Sequence, residues 1–141
     1  MGVFDMKNLF EYDYYRYYGA GFRFAGGTAH LLKDHSLWHL YLVRKFQASG
    51  TRFEKKLIRA LIWRSKRKYG LEIPPDLTIG KGLYIGHAYN ITINPRAILG
   101  NNINIHKGVT IGQENRGRRK GVPVIGSHVW IGINAVIVGN I

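Results

Sequence analysis

The apolar positions of this chain follow two different periods, and the change falls at Pro74-Pro75. Before that point the spacing is helical. Phe53, Leu57 and Leu61 recur at i, i+4 and i+8 with Ile58 and Ile62 beside them, which predicts one apolar stripe on a helix. Thr51 followed by Glu54 has the form of a capping box, in which each side chain meets a free backbone N–H of the first turn. Gly70 suits the position just past the helix end, where a positive φ is wanted. A second helix is predicted from a cap at Ser36 to near Ser49, and a third over the Tyr-rich stretch Tyr12 to Tyr18.

After Pro75 the period becomes six. Ile73, Ile79 and Ile85 keep one phase, then Ile93, Leu99, Ile105 and Ile111, then Ile125, Ile131 and Ile137. Glycine follows the aliphatic residue at Gly80, Gly86, Gly100, Gly112, Gly126 and Gly132. Four places after the aliphatic residue stands another small or apolar one, as at Leu77, Leu83, Ala97, Ile103, Val109, Val129 and Ala135. Each unit reads as a short strand and a corner, with the aliphatic residue inward and stacked on its equivalents in neighbouring coils. One coil cannot bury its apolar side alone, so stability comes from stacking and from caps. The division is therefore a helical region over 1–72 and a β-helix over 73–141, mainly β overall.

The repeat slips twice, and extra residues in a repeat must bulge outward. Ile85 to Ile93 is eight residues, two more than the period, and the surplus contains His87, Tyr89 and Asn90. Ile111 to Ile125 is fourteen, which reads as two units and two extra residues. This second bulge holds Gln113 through Gly121, with Arg118, Arg119 and Lys120 together. Ile141 falls in mid-coil after about three and a half coils, which suggests a truncated chain.

Composition narrows the classes. There is no cysteine, so no disulfide, thiolate nucleophile or Cys-based zinc site is expected, and no His-rich spacing suggests another metal. The leading residues MGVFDMKNLFEYDYYRYYG lack an apolar signal core, and Leu31 to Val43 is interrupted by charge, so a cytoplasmic protein is expected. Net charge is +13, and it is spread over both regions. It attracts anions in general, whether cofactor phosphates, an anionic membrane or polymer, or nucleic acid. No nucleic-acid-binding motif accompanies it, so nucleic acid is not the expected partner. The basic residues of the Phe53 helix also read simply as a solvated face.

GLEIPPDLTIGKGLYIGHAYNITI, HKGVTIG and VPVIGSHVWIGINAVIVGNI together resemble the hexapeptide-repeat acyltransferases. The likeness covers about half the chain and lies in the serine acetyltransferase branch and the related capsule and exopolysaccharide O-acetyltransferases. It implies a left-handed parallel β-helix, where general connection rules favour the opposite hand. It also implies acetyl-CoA as acyl donor and a homotrimer with CoA between subunits. His87 matches the family's catalytic histidine and Glu72 the carboxylate that partners it, although Glu72 also reads as a plain helix-end carboxylate. On this resemblance His87 takes the proton of an acceptor hydroxyl, Glu72 fixes its tautomer, and a repeat-glycine N–H stabilises the oxyanion. Gly112, Gln113 and Ile133 match the pantetheine groove. Arg118, Arg119 and Lys120 suit CoA phosphates, unless their loop is simply mobile and without a fixed partner. Tyr89, Asn90 and His106 fall on the acceptor side, with His106 expected to face a neighbouring subunit's His87.

The chain departs from the serine acetyltransferase pattern at three points. Gly86 stands where those enzymes carry an acid that holds the amino acid, and Val122 where they have a second histidine. The 72-residue helical region is about half as long as theirs. These departures favour a sugar or surface-polysaccharide precursor as acceptor, with serine as the alternative. A basic nucleic-acid-binding protein is the reading from another class.

Overall fold

The computed structural model describes the backbone of residues 6–141 and side chains from residue 9 onward; the first five residues of the segment read as free of a signal core lie outside the described residues. Four helices come first: α1 (Met6–Tyr18), α2 (Phe24–Lys33), α3 (His35–Ala48) and α4 (Arg52–Tyr69). Ten short strands follow, and they pair only in parallel as three sheets. The first face stacks β1 (Leu71–Glu72), β4 (Ile91–Ile93), β7 (Thr110–Gly112) and β10 (Val136–Val138). The second stacks β2 (Thr78–Ile79), β5 (Ile98–Leu99) and β8 (Val124–Ile125), and the third β3 (Tyr84–Gly86), β6 (Asn104–His106) and β9 (Trp130–Ile131). The result is a three-sided β-helix, as the six-residue period requires.

Each side of each coil sends two residues inward. On the first face these are Leu71 and Ile73, then Ile91 and Ile93, then Val109 and Ile111, all buried. Fully burying such a side chain contributes about 1.5–3 kcal/mol, so the stack is the main stabilising element of this half. The corners alternate asparagine and glycine. Asn90 sits over Gly70, Asn102 over Gly82 and Asn134 over Gly108, where any Cβ on the glycine would collide with the amide above.

The first coil has an open lower edge of backbone groups, and α1 and α3 satisfy it with side chains. Tyr17 Oη accepts from Ile85 N (2.9 Å) and donates to Ile85 O (3.3 Å). Asp13 Oδ1 accepts from Leu83 N at 2.8 Å. Arg44 donates to Ile79 O (3.0 Å) and Gly80 O (2.5 Å), and Gln47 Nε2 to Leu77 O (2.9 Å). Asp13 and Arg44 also pair with each other at 2.7 Å, both side chains wholly buried. Burial outweighs the Arg44 charge and holds the Asp13 carboxyl above the usual carboxylate range. An uncovered edge would leave these groups unpaired and invite pairing with another chain.

Several local expectations are corrected. Asp34, not Ser36, caps α3, its Oδ1 accepting from Ser36 N and Leu37 N. Helix α2 has no counterpart in the apolar pattern, because Phe24-Ala-Gly-Gly-Thr carries little periodicity. The capping box of α4 is half formed. Thr51 Oγ1 accepts from Glu54 N (3.3 Å), but Thr51 N donates to Ser49 Oγ, whose hydroxyl donates to Glu54 Oε2 at 2.7 Å. The buried line of α4 is Ile58 and Ile62, with Leu61 partly covered, whereas Phe53 and Leu57 face outward at 82% and 55% exposure.

His39 of α3 is fully buried, and neither ring nitrogen has a hydrogen-bond partner among the described residues. Burial pushes its pKa down to about 4. The unfolded chain holds it near 6.5, so the unfolded state binds the extra proton first as pH falls. Stability from this group is complete above about pH 6.5 and is lost towards pH 4, by about 3 kcal/mol. Denaturant titrations from pH 7 to about 4 should show that decline in the parent, and His39→Leu should flatten it. An equal slope in both proteins would contradict the assignment.

Candidate active site

The first bulge lies at the corner between β3 and β4. Its inner side is pinned by Ala88, which is buried, so the residues on either side must turn outward. Tyr89 N bonds back to His87 O at 2.7 Å, and Asn90 N bonds down to Tyr69 O at 2.9 Å. His87 has φ +50° and Asn90 φ +52°, both in the left-handed region. Both residue types are among those that enter this region most readily, as His128 does at φ +61°. The His87 ring is exposed on the corner.

A residue that spacing could not find secures this bulge. His35, at the start of α3, places Nε2 2.9 Å from Ala88 O. Its ring stacks on Tyr69 at 4.2 Å and lies 4.9 Å from Tyr89. Fifty-three residues separate His35 from Ala88, so no local pattern signals the contact.

Glu72 is not joined to His87 by any hydrogen bond among the described residues. It sits on β1 in register with Thr92, and its carboxylate pairs with Lys66 at 3.1 Å. Both side chains are about half exposed, and such pairs contribute only about 0–1 kcal/mol, so Lys66 does not lock the carboxylate away from another partner. Beside it an open depression of ≈ 340 Å³ runs against α4, lined by Arg59, Trp63, Lys66, Pro74 and Pro95 among others.

The second bulge is longer than its spacing suggests. Ile98 pairs with Val124 and Leu99 with Ile125, which puts Ile111 and Ile125 on successive faces. The fourteen residues between them are therefore one unit and an eight-residue excursion, not two units and two extras. The excursion is a small hairpin. Glu114 and Gly121 exchange backbone bonds of 3.0 and 2.9 Å, and Arg119 O accepts from Asn140 N at 2.9 Å. Gly139 makes the close approach possible, since a Cβ there would lie 2.6 Å from Arg119 O. The backbone of this loop is held against the last coil, while Arg116, Arg118, Arg119 and Lys120 are exposed. Gln113 at its root bonds to Arg96 and Asn115. Gly112 faces Val138 across the strand pair, whereas Ile133 stands 54% exposed at the corner that leads into β10.

His106 is partly exposed on β6, where its ring packs against Tyr84 and Trp130 of the same face. It is in register with Gly86, and a Cβ on Gly86 would lie 2.6 Å from His106 Nδ1. The ring stacks on Trp130 at 5.1 Å, and its Nε2 is buried without a partner among the described residues. A side chain at position 86 and the His106 ring thus compete for one space beside His87.

No protein-family model matches the chain. The serine acetyltransferase of Staphylococcus aureus strain Mu50 is 34% identical over 113 residues, which is 79% of this chain and 49% of that protein. The crystal structure of Neisseria gonorrhoeae serine acetyltransferase in complex with serine superposes with a TM-score of 0.68 at 30% identity, covering 96% of this chain and 55% of that one. The soybean serine acetyltransferase apoenzyme gives 0.73 at 25% identity, covering 96% and 55%. The fold is the left-handed parallel β-helix with a small helical region before it. The chain spans about half the length of the curated relatives it matches.

Proposed function

We propose that this chain, similar in sequence and fold to the serine acetyltransferases, is an acetyl-CoA-dependent O-acetyltransferase with serine as its acceptor. The observation that carries the reading is His87, held exposed in a left-handed corner by the buried Ala88 and the His35 contact. An alcohol is a poor nucleophile until its proton is removed. In the proposed step His87 takes that proton as the hydroxyl oxygen bonds to the thioester carbonyl. Collapse of the tetrahedral adduct breaks the C–S bond, and the imidazolium returns the proton to the CoA thiolate. Glu72 orients the imidazole from the neighbouring face. A single chain leaves His87 open to solvent, and a homotrimer would supply the opposite wall of the cleft.

Gly86 favours a second reading. No acid is available at this position to hold an amino group, and the His106 ring fills the space. A sugar hydroxyl needs no such acid. Labelled acetyl-CoA offered to the full chain with equimolar serine, simple sugars and nucleotide sugars decides between them. O-acetylserine as the main labelled product supports the first reading, and label in a sugar ester selects the second.

The hairpin supplies the donor site in this reading. Exchanging Arg118, Arg119 and Lys120 together for alanine should raise the apparent KM for acetyl-CoA by about tenfold or more and leave the acceptor KM nearly unchanged, since charge-assisted bonds to phosphates are lost. An unchanged acetyl-CoA KM would show these side chains to be solvated and without a role in binding.

A further inference from the structure

We propose that the outward face of α4 is a docking surface for an anionic lipid bilayer, on which the helix lies in the plane of the headgroups. This goes beyond the acetyltransferase reading and does not depend on it. Helix α4 buries Ile58 and Ile62 against the core, so it is formed before any partner arrives. Its opposite side exposes Phe53 (82%), Leu57 (55%) and Trp63 (57%). With Ala60 these follow i, i+4, i+7 and i+10, a single outward line. Basic residues flank and interleave the line, and the helix carries eight Lys/Arg against one acid, Glu54. The Arg67 guanidinium lies over the Trp63 ring at 4.8 Å.

Large apolar side chains between cations are the composition of a helix that rests at the headgroup boundary, with rings in the acyl margin and cations on the phosphates. Nucleic acid would use the cations and stack on an aromatic ring, but it has no use for the aliphatic Leu57 between them. A second copy of this chain would use the apolar residues, but it would bring two strongly basic faces together. Among the described residues no helix is long and apolar enough to cross a membrane. The bilayer uses the whole face, the aliphatic side chain as well as the rings and the cations.

The test is co-sedimentation of the full chain with vesicles of phosphatidylcholine alone and of phosphatidylcholine mixed with phosphatidylglycerol, at physiological salt. Binding to the anionic vesicles should be at least about tenfold tighter, because several cations sit near the charged surface. The Phe53→Ser/Leu57→Ser/Trp63→Ser variant and the Lys56→Glu/Arg64→Glu/Arg67→Glu variant should each lose most of this binding. All these positions are exposed, so both variants should keep the parent's circular dichroism and cooperative melt. Brominated lipid should quench the parent's tryptophan emission, and Trp63→Phe should remove most of that quenching. Equal sedimentation with neutral and anionic vesicles, or none with either, overturns the proposal. So does a charge variant that fails while the apolar variant binds as the parent does, which would indicate a general polyanion face such as one for nucleic acid. A shift in oligomeric state in the apolar variant with vesicle binding unchanged would assign the face to a second copy and overturn it too.

Discussion

Replacing His87 with alanine should lower kcat by about 10²–10⁴-fold, the usual effect of removing a positioned acid–base group. The protein should fold as before. The His87 ring is exposed, and the buried contacts of its corner are made by Ala88. Alanine does not relieve the left-handed backbone, so a stability change would be small. The KM for acetyl-CoA should also hold, since a base acts on the transition state and adds little to the cofactor's ground-state binding. Glu72→Gln should give a smaller fall in kcat, because an orienting partner is disturbed and the base remains. His106→Ala ranks the two imidazoles. A His87→Ala enzyme within a few-fold of the parent would move the base elsewhere, and an inactive His106→Ala would move it to His106.

The largest effect on stability is expected at Arg44. Its guanidinium joins Asp13 to the open edge of the first coil through Ile79 O and Gly80 O; the bonds to Asp13 and Ile79 are buried, and that to Gly80 partly so. Arg44→Leu leaves a buried carboxyl without its partner and two backbone carbonyls without donors, which should cost about 3–5 kcal/mol. Asp13→Asn keeps an acceptor for Leu83 N but strips the buried guanidinium of its counter-charge, so it should also cost about 3–5 kcal/mol. Chemical denaturation of both single variants and the double variant measures the coupling directly. If Arg44→Leu unfolds within about 1 kcal/mol of the parent, the helical region is not the cap proposed for this edge.

What the sequence made legible and what it hid have physical causes. The β-helix was readable because stacking forces an aliphatic residue inward every six positions, and the second inward set was visible through Leu77, Leu83 and Ile103. The bulge at His87 was readable for the same reason, as a two-residue breach of that period. The longer hairpin was misjudged because fourteen residues fit two units nearly as well as one unit with an insertion, and only the pairing of Ile98 with Val124 decides between them. Phe53 and Leu57 fit a helical period yet face outward, since Ile58 and Ile62 fit it equally well and α4 has one buried side. The contacts of Asp13, Tyr17, Arg44 and Gln47 with the first coil span 30 to 70 residues and leave no mark in local spacing. His35 at Ala88 and His106 over Gly86 are long-range in the same way, and both bear on the site.

The central claim is acetyl transfer at His87, and release of free CoA thiol tests it most directly. Purified full-length chain is mixed with acetyl-CoA, with and without serine and the sugar panel, and thiol and ester are followed together. The account predicts thiol release only when an acceptor is present, one O-acetyl ester formed per thiol, and near-complete loss of both in His87→Ala. No acceptor-dependent thiol release from folded protein with any member of the panel, or equal release by parent and His87→Ala, would contradict it.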